Sequence, residues 1–128
     1  LFMAAAVSDY VPQFVQEGKL KKDLLGEKFE LSMKKNIDIL GSIDKEGICV
    51  VGFKAEMDES NATSNATTML KNKNLDAVCL NILKDSSSFG SDMNAVEFIS
   101  KSKTASIPKN DKLSVAFEIL NNAKDVEV

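Results

Sequence analysis

Residues 48–81 read ICVVGFKAEMDESNATSNATTMLKNKNLDAVCLN, and their periodicity decides the fold class. Ile48 to Phe53 is an apolar run of strand length. Asp58-Glu59-Ser60 then places acids and a hydroxyl where the first turn of a helix has free N–H groups to satisfy. Ala62, Ala66, Met69 and Leu70 follow at helical spacing, which predicts one apolar stripe through about residue 72. Leu75 to Asn81 is another strand-length run. Strands alternating with helices imply a mostly parallel sheet with helices packed on it.

The flanks extend the pattern. Residues 2–7 are continuously apolar and small, which predicts a strand buried on both faces. Residues 10–27, punctuated by Pro12, Gly18 and Gly26, read as irregular. Residues 28–34 alternate, with Phe29, Leu31 and Met33 on one face of a half-buried strand. Ile39, Leu40 and Ile43 fit a short helix behind Asp38, whose negative charge suits a helix start. Residues 84–92 are loop, and 95–99 predict a fourth strand, antiparallel or at an edge. A last helix is expected from about Lys109, with Leu113, Ala116, Phe117 and Leu120 on one side and a polar tail fraying after Asn121. The expected fold is α/β: a Rossmann-like three-layer sheet with helices on both faces and an antiparallel edge. The chain opens at Leu1 inside what reads as a strand, so residues 1–128 read as the C-terminal part of a longer domain.

Composition narrows the chemistry. A net charge of −3 and a pI near 5.0 argue against nucleic acid as the main partner. With no histidine, acid–base schemes built on imidazole are excluded, and a zinc site is not expected. Cys49 and Cys79 lie far apart inside apolar runs and read as buried free thiols of a reducing compartment, the cytoplasm. No apolar run approaches the roughly 18–20 residues of a membrane span. The sequons at Asn61 and Asn65 read as chance occurrences.

Several short stretches suggest an anion site at the carboxyl edge of the sheet. Ala4-Ala5-Ala6 would let backbone approach a ligand, and Asp9 would accept hydrogen bonds from it. The same alanines would equally make room for a packed helix, with Asp9 starting a turn. Lys19 and Lys21 of Lys19-Leu20-Lys21-Lys22 point the same way in an extended chain and would neutralise phosphate, or form a solvated charge run. Lys71 and Lys73 suit either a phosphate or a helix C-terminus. Phe53 would stack on a base or belong to the core.

In order, the motifs AAAVSDY, KLKK, NIDIL, VVGFKAE, LKNKNLDAVCLN and FGSDMN resemble the bacterial phosphopantothenate–cysteine ligase over about residues 2–120. That ligase is the C-terminal domain of a bifunctional enzyme of coenzyme A biosynthesis, fused to a flavin-binding decarboxylase. The resemblance implies CTP-dependent joining of 4'-phosphopantothenate and cysteine through an acyl-cytidylate, with Mg²⁺, in a homodimer. FMN would belong only to the fused decarboxylase domain. Carried over by motif, Met3, Ala4 and Ala5 would line the nucleotide, and Asp9 and Lys19 would contact CTP, Lys19 also stabilising charge in catalysis. Ile37, Asp38, Ile39 and Leu40 would flank the cytosine, Phe53 would pack on the nucleotide, and Lys73 would reach the phosphates. Asn81 falls where the family has an Asn-Asp pair.

Three positions depart from the family pattern: Ile37 replaces a proline, Met69 a lysine and Lys54 an alanine. The family's glycine-rich first strand–turn–helix is also absent, as are the arginine and asparagine associated with the acyl-cytidylate. Much of the CTP subsite is therefore expected, but not a complete active site. Two other readings stay open: an ATP-using ligase of the same type, and a non-enzymatic nucleotide-binding or assembly module.

Overall fold

The computed structural model describes residues 1–15, 17–83 and 91–126. The strand–helix–strand reading of the central stretch holds: β4 (Val51–Glu56), α3 (Glu59–Asn72) and β5 (Ala77–Ile82), with β4 and β5 parallel. Asp58 caps α3 by accepting the Ser60 N–H. Before them come β1 (Phe2–Met3), β2 (Tyr10–Pro12), α1 (Lys22–Leu25), β3 (Met33–Lys35) and α2 (Ile39–Ser42). After them come β6 (Met93–Ser100), β7 (Thr104–Asp111) and α4 (Lys112–Lys124).

The main sheet has the order β1-β4-β5-β6-β7. β1, β4 and β5 are parallel, and β6 and β7 continue the sheet antiparallel. Alternation along the strands splits the core between two faces. Val50, Val78, Leu80 and Ile99 meet Ala62, Ala66 and Leu70 of α3 on one side. Val51, Ala77, Cys79 and Phe98 meet Val115 and Ile119 of α4 on the other. This is the expected three-layer α/β architecture, mostly parallel with an antiparallel edge.

Asp76 is the one buried charged residue among those described. Its carboxylate accepts the Val50 N–H at 2.9 Å and pairs with Lys101, at the β6–β7 turn, at 3.0 Å. It ties the start of β4 to the β6–β7 hairpin, and the two partners satisfy a charge that would otherwise be costly to bury.

Several local expectations are corrected. The strand expected over 2–7 is only Phe2–Met3, and Ala4 to Val7 are exposed. β1 is hydrogen-bonded to β4 alone, so past Met3 no second strand holds the chain extended. The strand expected over 28–34 shrinks to Met33–Lys35, paired with β2 in a two-stranded sheet. Phe29, Leu31 and Met33 are exposed because no helix covers that small sheet. β6 is antiparallel as expected but internal, because β7 occupies the edge. Lys109 belongs to β7, and α4 begins at Lys112. The buried side of α4 is Val115 and Ile119, while Leu113 and Phe117 are 67% and 57% exposed. The loop expected over 84–92 falls outside the described residues up to position 90, as do Phe89 and Gly90 of its motif.

Candidate functional site

A cavity of about 460 Å³ opens on the α3 side of the sheet, against β1. Met3, Phe53 and Leu40 line it, Met3 and Phe53 bordering a second hollow as well, and Met69 and Lys73 form the wall contributed by the C-terminal end of α3. Residues 5–9 and 35–39 close the remaining sides. The site is therefore not confined to the carboxyl edge of the sheet. α3 carries the chain back to the start of β4, where the Asp76 N–H donates to the Val50 carbonyl, and Lys73 comes with it.

The two loops are fastened by one residue. The Asn36 side-chain amide donates to the Ser8 carbonyl at 2.9 Å, and its backbone N–H donates to the Asp9 carbonyl at 2.7 Å. Its side-chain oxygen accepts the Ile37 N–H at 2.9 Å. These bonds extend the β2–β3 ladder, where Tyr10 pairs with Lys35, up to the cavity mouth. The next residue but one, Asp38, caps α2 by accepting the Gly41 N–H at 3.1 Å.

On the opposite wall, Met69 lies over Gly52. A Cβ at residue 52 would come within 3.0 Å of Met69 Cε and 2.8 Å of Leu75 Cδ1, so glycine is what lets these side chains close on the strand. Lys73 reaches across the cavity, its ammonium 3.0 Å from both Asp38 carboxylate oxygens. That hydrogen bond is the main reason the Asp38 carboxyl is held below its ordinary range. Lys35 is the second lysine of the lining and enters no ion pair among the described residues. The chain has no arginine, so its 16 cations are lysines, point charges that suit mobile phosphates better than planar forks.

Of the residues expected from sequence, the cavity brings together Met3, Ala5, Asp9, Ile37, Asp38, Ile39, Leu40, Phe53 and Lys73. Ala4 lines a different hollow, and Lys19 lines none of the cavities described here. Lys19 stands in an exposed connection between β2 and α1, and no hydrogen bond among the described residues draws it toward the site. Ser8, Lys35 and Asn36 were missed as lining, and the strand pairing that places them is long-range. Met69 contributes an apolar wall. Lys54 is paired to Glu56 at 3.0 Å and is not among the residues that line this cavity.

The second hollow, about 710 Å³, lies on the α4 side. Ala4, Cys79, Val96, Val115, Ile119 and Leu120 are among its mainly apolar walls. Asn81 lines it and not the α3-side cavity. Both thiols are free, Cys79 buried and Cys49 half-buried. Burial pushes Cys79 up to about 12 and raises Cys49, so neither is a ready nucleophile. No group of three metal-ligating side chains converges among the described residues, and no helix there is long and apolar enough to cross a membrane.

A family model described as the DNA/pantothenate metabolism flavoprotein C-terminal domain matches residues 1–126. The chain is 37% identical over 120 residues to the coenzyme A biosynthesis bifunctional protein CoaBC of Borreliella burgdorferi, covering 91% of this chain and 30% of that protein. It thus spans under a third of that relative's length. Among solved structures, the C-terminal domain of CoaBC aligns with a TM-score of 0.64 at 26% identity, covering 92% of this chain and 49% of that one. A Cab2 mutant in complex with phosphopantothenate-cysteine aligns with a TM-score of 0.60 at 24% identity, covering 94% of this chain and 42% of that one.

Proposed function

The chain belongs to the DNA/pantothenate metabolism flavoprotein C-terminal domain family, and on that premise we propose that its α3-side cavity is the nucleotide subsite of a CTP-dependent phosphopantothenate–cysteine ligase. The observation that carries this reading is the convergence of Asp9, residues 37–40, Phe53 and Lys73 on one cavity from four separate stretches of chain. Phe53 offers an aromatic surface to a base, residues 37–40 flank it, and Lys73 and Lys35 supply positive charge for phosphates.

In the proposed reaction a carboxylate oxygen of 4'-phosphopantothenate attacks the α-phosphorus of CTP. The Pα–O bond to the β-phosphate breaks and pyrophosphate leaves. The cysteine amine then attacks the acyl carbon of the acyl-cytidylate, the C–O bond to CMP breaks, and the amine gives up a proton. The attacking carboxylate is already ionised, so the first step needs positioning and charge neutralisation, with no imidazole base. Mg²⁺ would be held largely by the phosphates and water, neutralising charge on the leaving pyrophosphate. Lys19, expected to stabilise charge, would have to move to act, so Lys73 is assigned the leading role. Ala4 would contribute backbone only from the neighbouring hollow. A homodimer, a fused FMN-containing decarboxylase and a cytoplasmic location complete the reading on the strength of the family resemblance.

The test is thermal shift of the chain with CTP, ATP and GTP, each with Mg²⁺, alongside Lys73→Ala. A ligand that binds only the folded state raises Tm. CTP should raise it most, and Lys73→Ala should abolish the rise. In the full-length parent protein, pyrophosphate release should require CTP and phosphopantothenate, and its sustained turnover, with CMP release, should require cysteine as well. An equal response to ATP would favour an ATP-using ligase. Binding without pyrophosphate release would favour a non-catalytic module.

A further inference from the structure

The Asp38–Lys73 pair joins residues 35 positions apart across the mouth of the cavity. Asp38 comes from the loop wall and Lys73 from the helix wall. Both side chains are partly exposed, so solvent and ions reach the pair. Among the described residues it is the only ion pair between two residues that line this cavity. Asp38 is doubly engaged, because the oxygen that caps α2 at Gly41 also meets the ammonium. The cap fixes where the carboxylate stands, and the carboxylate fixes where Lys73 points.

We propose that Asp38 is an internal stand-in for phosphate: a positioning residue that holds Lys73 across the cavity mouth and yields it to an incoming polyphosphate. The inference rests on the nucleotide reading above. An exposed single carboxylate is a weak competitor, whereas a polyphosphate chain carries several charges and more acceptor oxygens. The exchange therefore favours a polyphosphate and resists a lone nucleoside, which offers Lys73 nothing in return. Asp38 selects for the phosphate chain while lowering the affinity for it.

The roles separate through Asp38→Asn, because asparagine caps a helix about as well as aspartate and leaves α2 its acceptor. Titration calorimetry would follow inorganic tripolyphosphate and CTP, and chemical-shift titration would follow cytidine. Asp38→Asn should tighten tripolyphosphate and CTP about two- to fivefold at low salt, the range expected from freeing one exposed ion pair. Cytidine, which residues 37–40 would flank through their backbone, should gain no affinity. The gain should vanish in the Lys73→Ala background, since the coupling runs through that ammonium. Equal or weaker tripolyphosphate binding by Asp38→Asn would overturn the proposal, as would a gain that persists without Lys73. A parallel loss of CTP and cytidine would overturn it by making Asp38 a direct nucleoside contact. If the unaltered chain binds neither CTP nor tripolyphosphate, the nucleotide reading itself fails and takes this inference with it.

Discussion

Residues 48–83 with 91–126 and residues 1–47 are built on different physics. The first holds nearly all the fully buried side chains, Phe98, Leu75, Leu80 and Val50 among them. Among the described residues, the second contributes one buried side chain, Leu40, and leaves Phe14, Phe29 and Ile37 exposed. One is packed through its apolar faces; the other is held mainly by short hydrogen bonds around Asn36. The cavity lies on their seam. The packed part gives it a fixed wall, Phe53, Met69 and Lys73, and the thin part gives it loops able to adjust. Binding sites commonly draw on the less stable part of a fold for this reason.

The largest effect that would sharpen this contrast is in the core. Phe98→Ala should cost about 3–5 kcal/mol, while Phe29→Ala should stay within roughly 0.5 kcal/mol. Urea denaturation of the two variants checks this, and comparable losses would break the contrast. Next comes Asp76→Ala, which strands the buried Val50 N–H and should cost about 1–3 kcal/mol, read from the same transition.

A smaller global effect is expected at the seam. Asn36→Ala should lower stability by about 0.5–1.5 kcal/mol. Hydrogen exchange should then speed up at Val11 and Lys34, the hydrogen-bonded pair of the β2–β3 ladder, while the β5 and β6 amides keep their protection. If β5 loosened as well, the two parts would be one cooperative unit.

The smallest effect is acidic. The Asp58 and Asp111 carboxyls are held below the ordinary 3.8, chiefly by hydrogen bonds from the Ser60 and Ser114 side chains. Their contribution is whole above that value and is lost as pH falls through the lowered folded-state values. Helical circular dichroism should therefore hold down to about pH 3.8 and decline only below it. Asp111→Asn should flatten part of that decline.

How legible the molecule was in its sequence follows the same division. Strand–helix–strand over 48–81 could be read because burial and local periodicity agree there. β7 could not, because Thr104 to Asp111 is polar apart from Ala105 and Ile107, and Pro108 reads as a break. Its evidence is the pairing with β6, which no local window contains. On α4, Leu113, Phe117 and Leu120 outweighed Val115 and Ile119 as a stripe, yet the second pair meets the sheet. At the site, Met3, Ala5, Asp9, residues 37–40, Phe53 and Lys73 share one cavity, while Ala4 and Lys19 lie outside it. Lys35 and Asn36 needed the Tyr10–Lys35 register, and Lys19 needed to be seen standing apart.

Pro108 has a consequence beyond the fold. β7 is an outer strand of the sheet, the place where strands of neighbouring molecules can add and grow into aggregates. A proline there has no N–H to offer a newcomer, and Lys109 beside it repels a second copy of the same edge. The sheet is thus discouraged from extending itself at that margin.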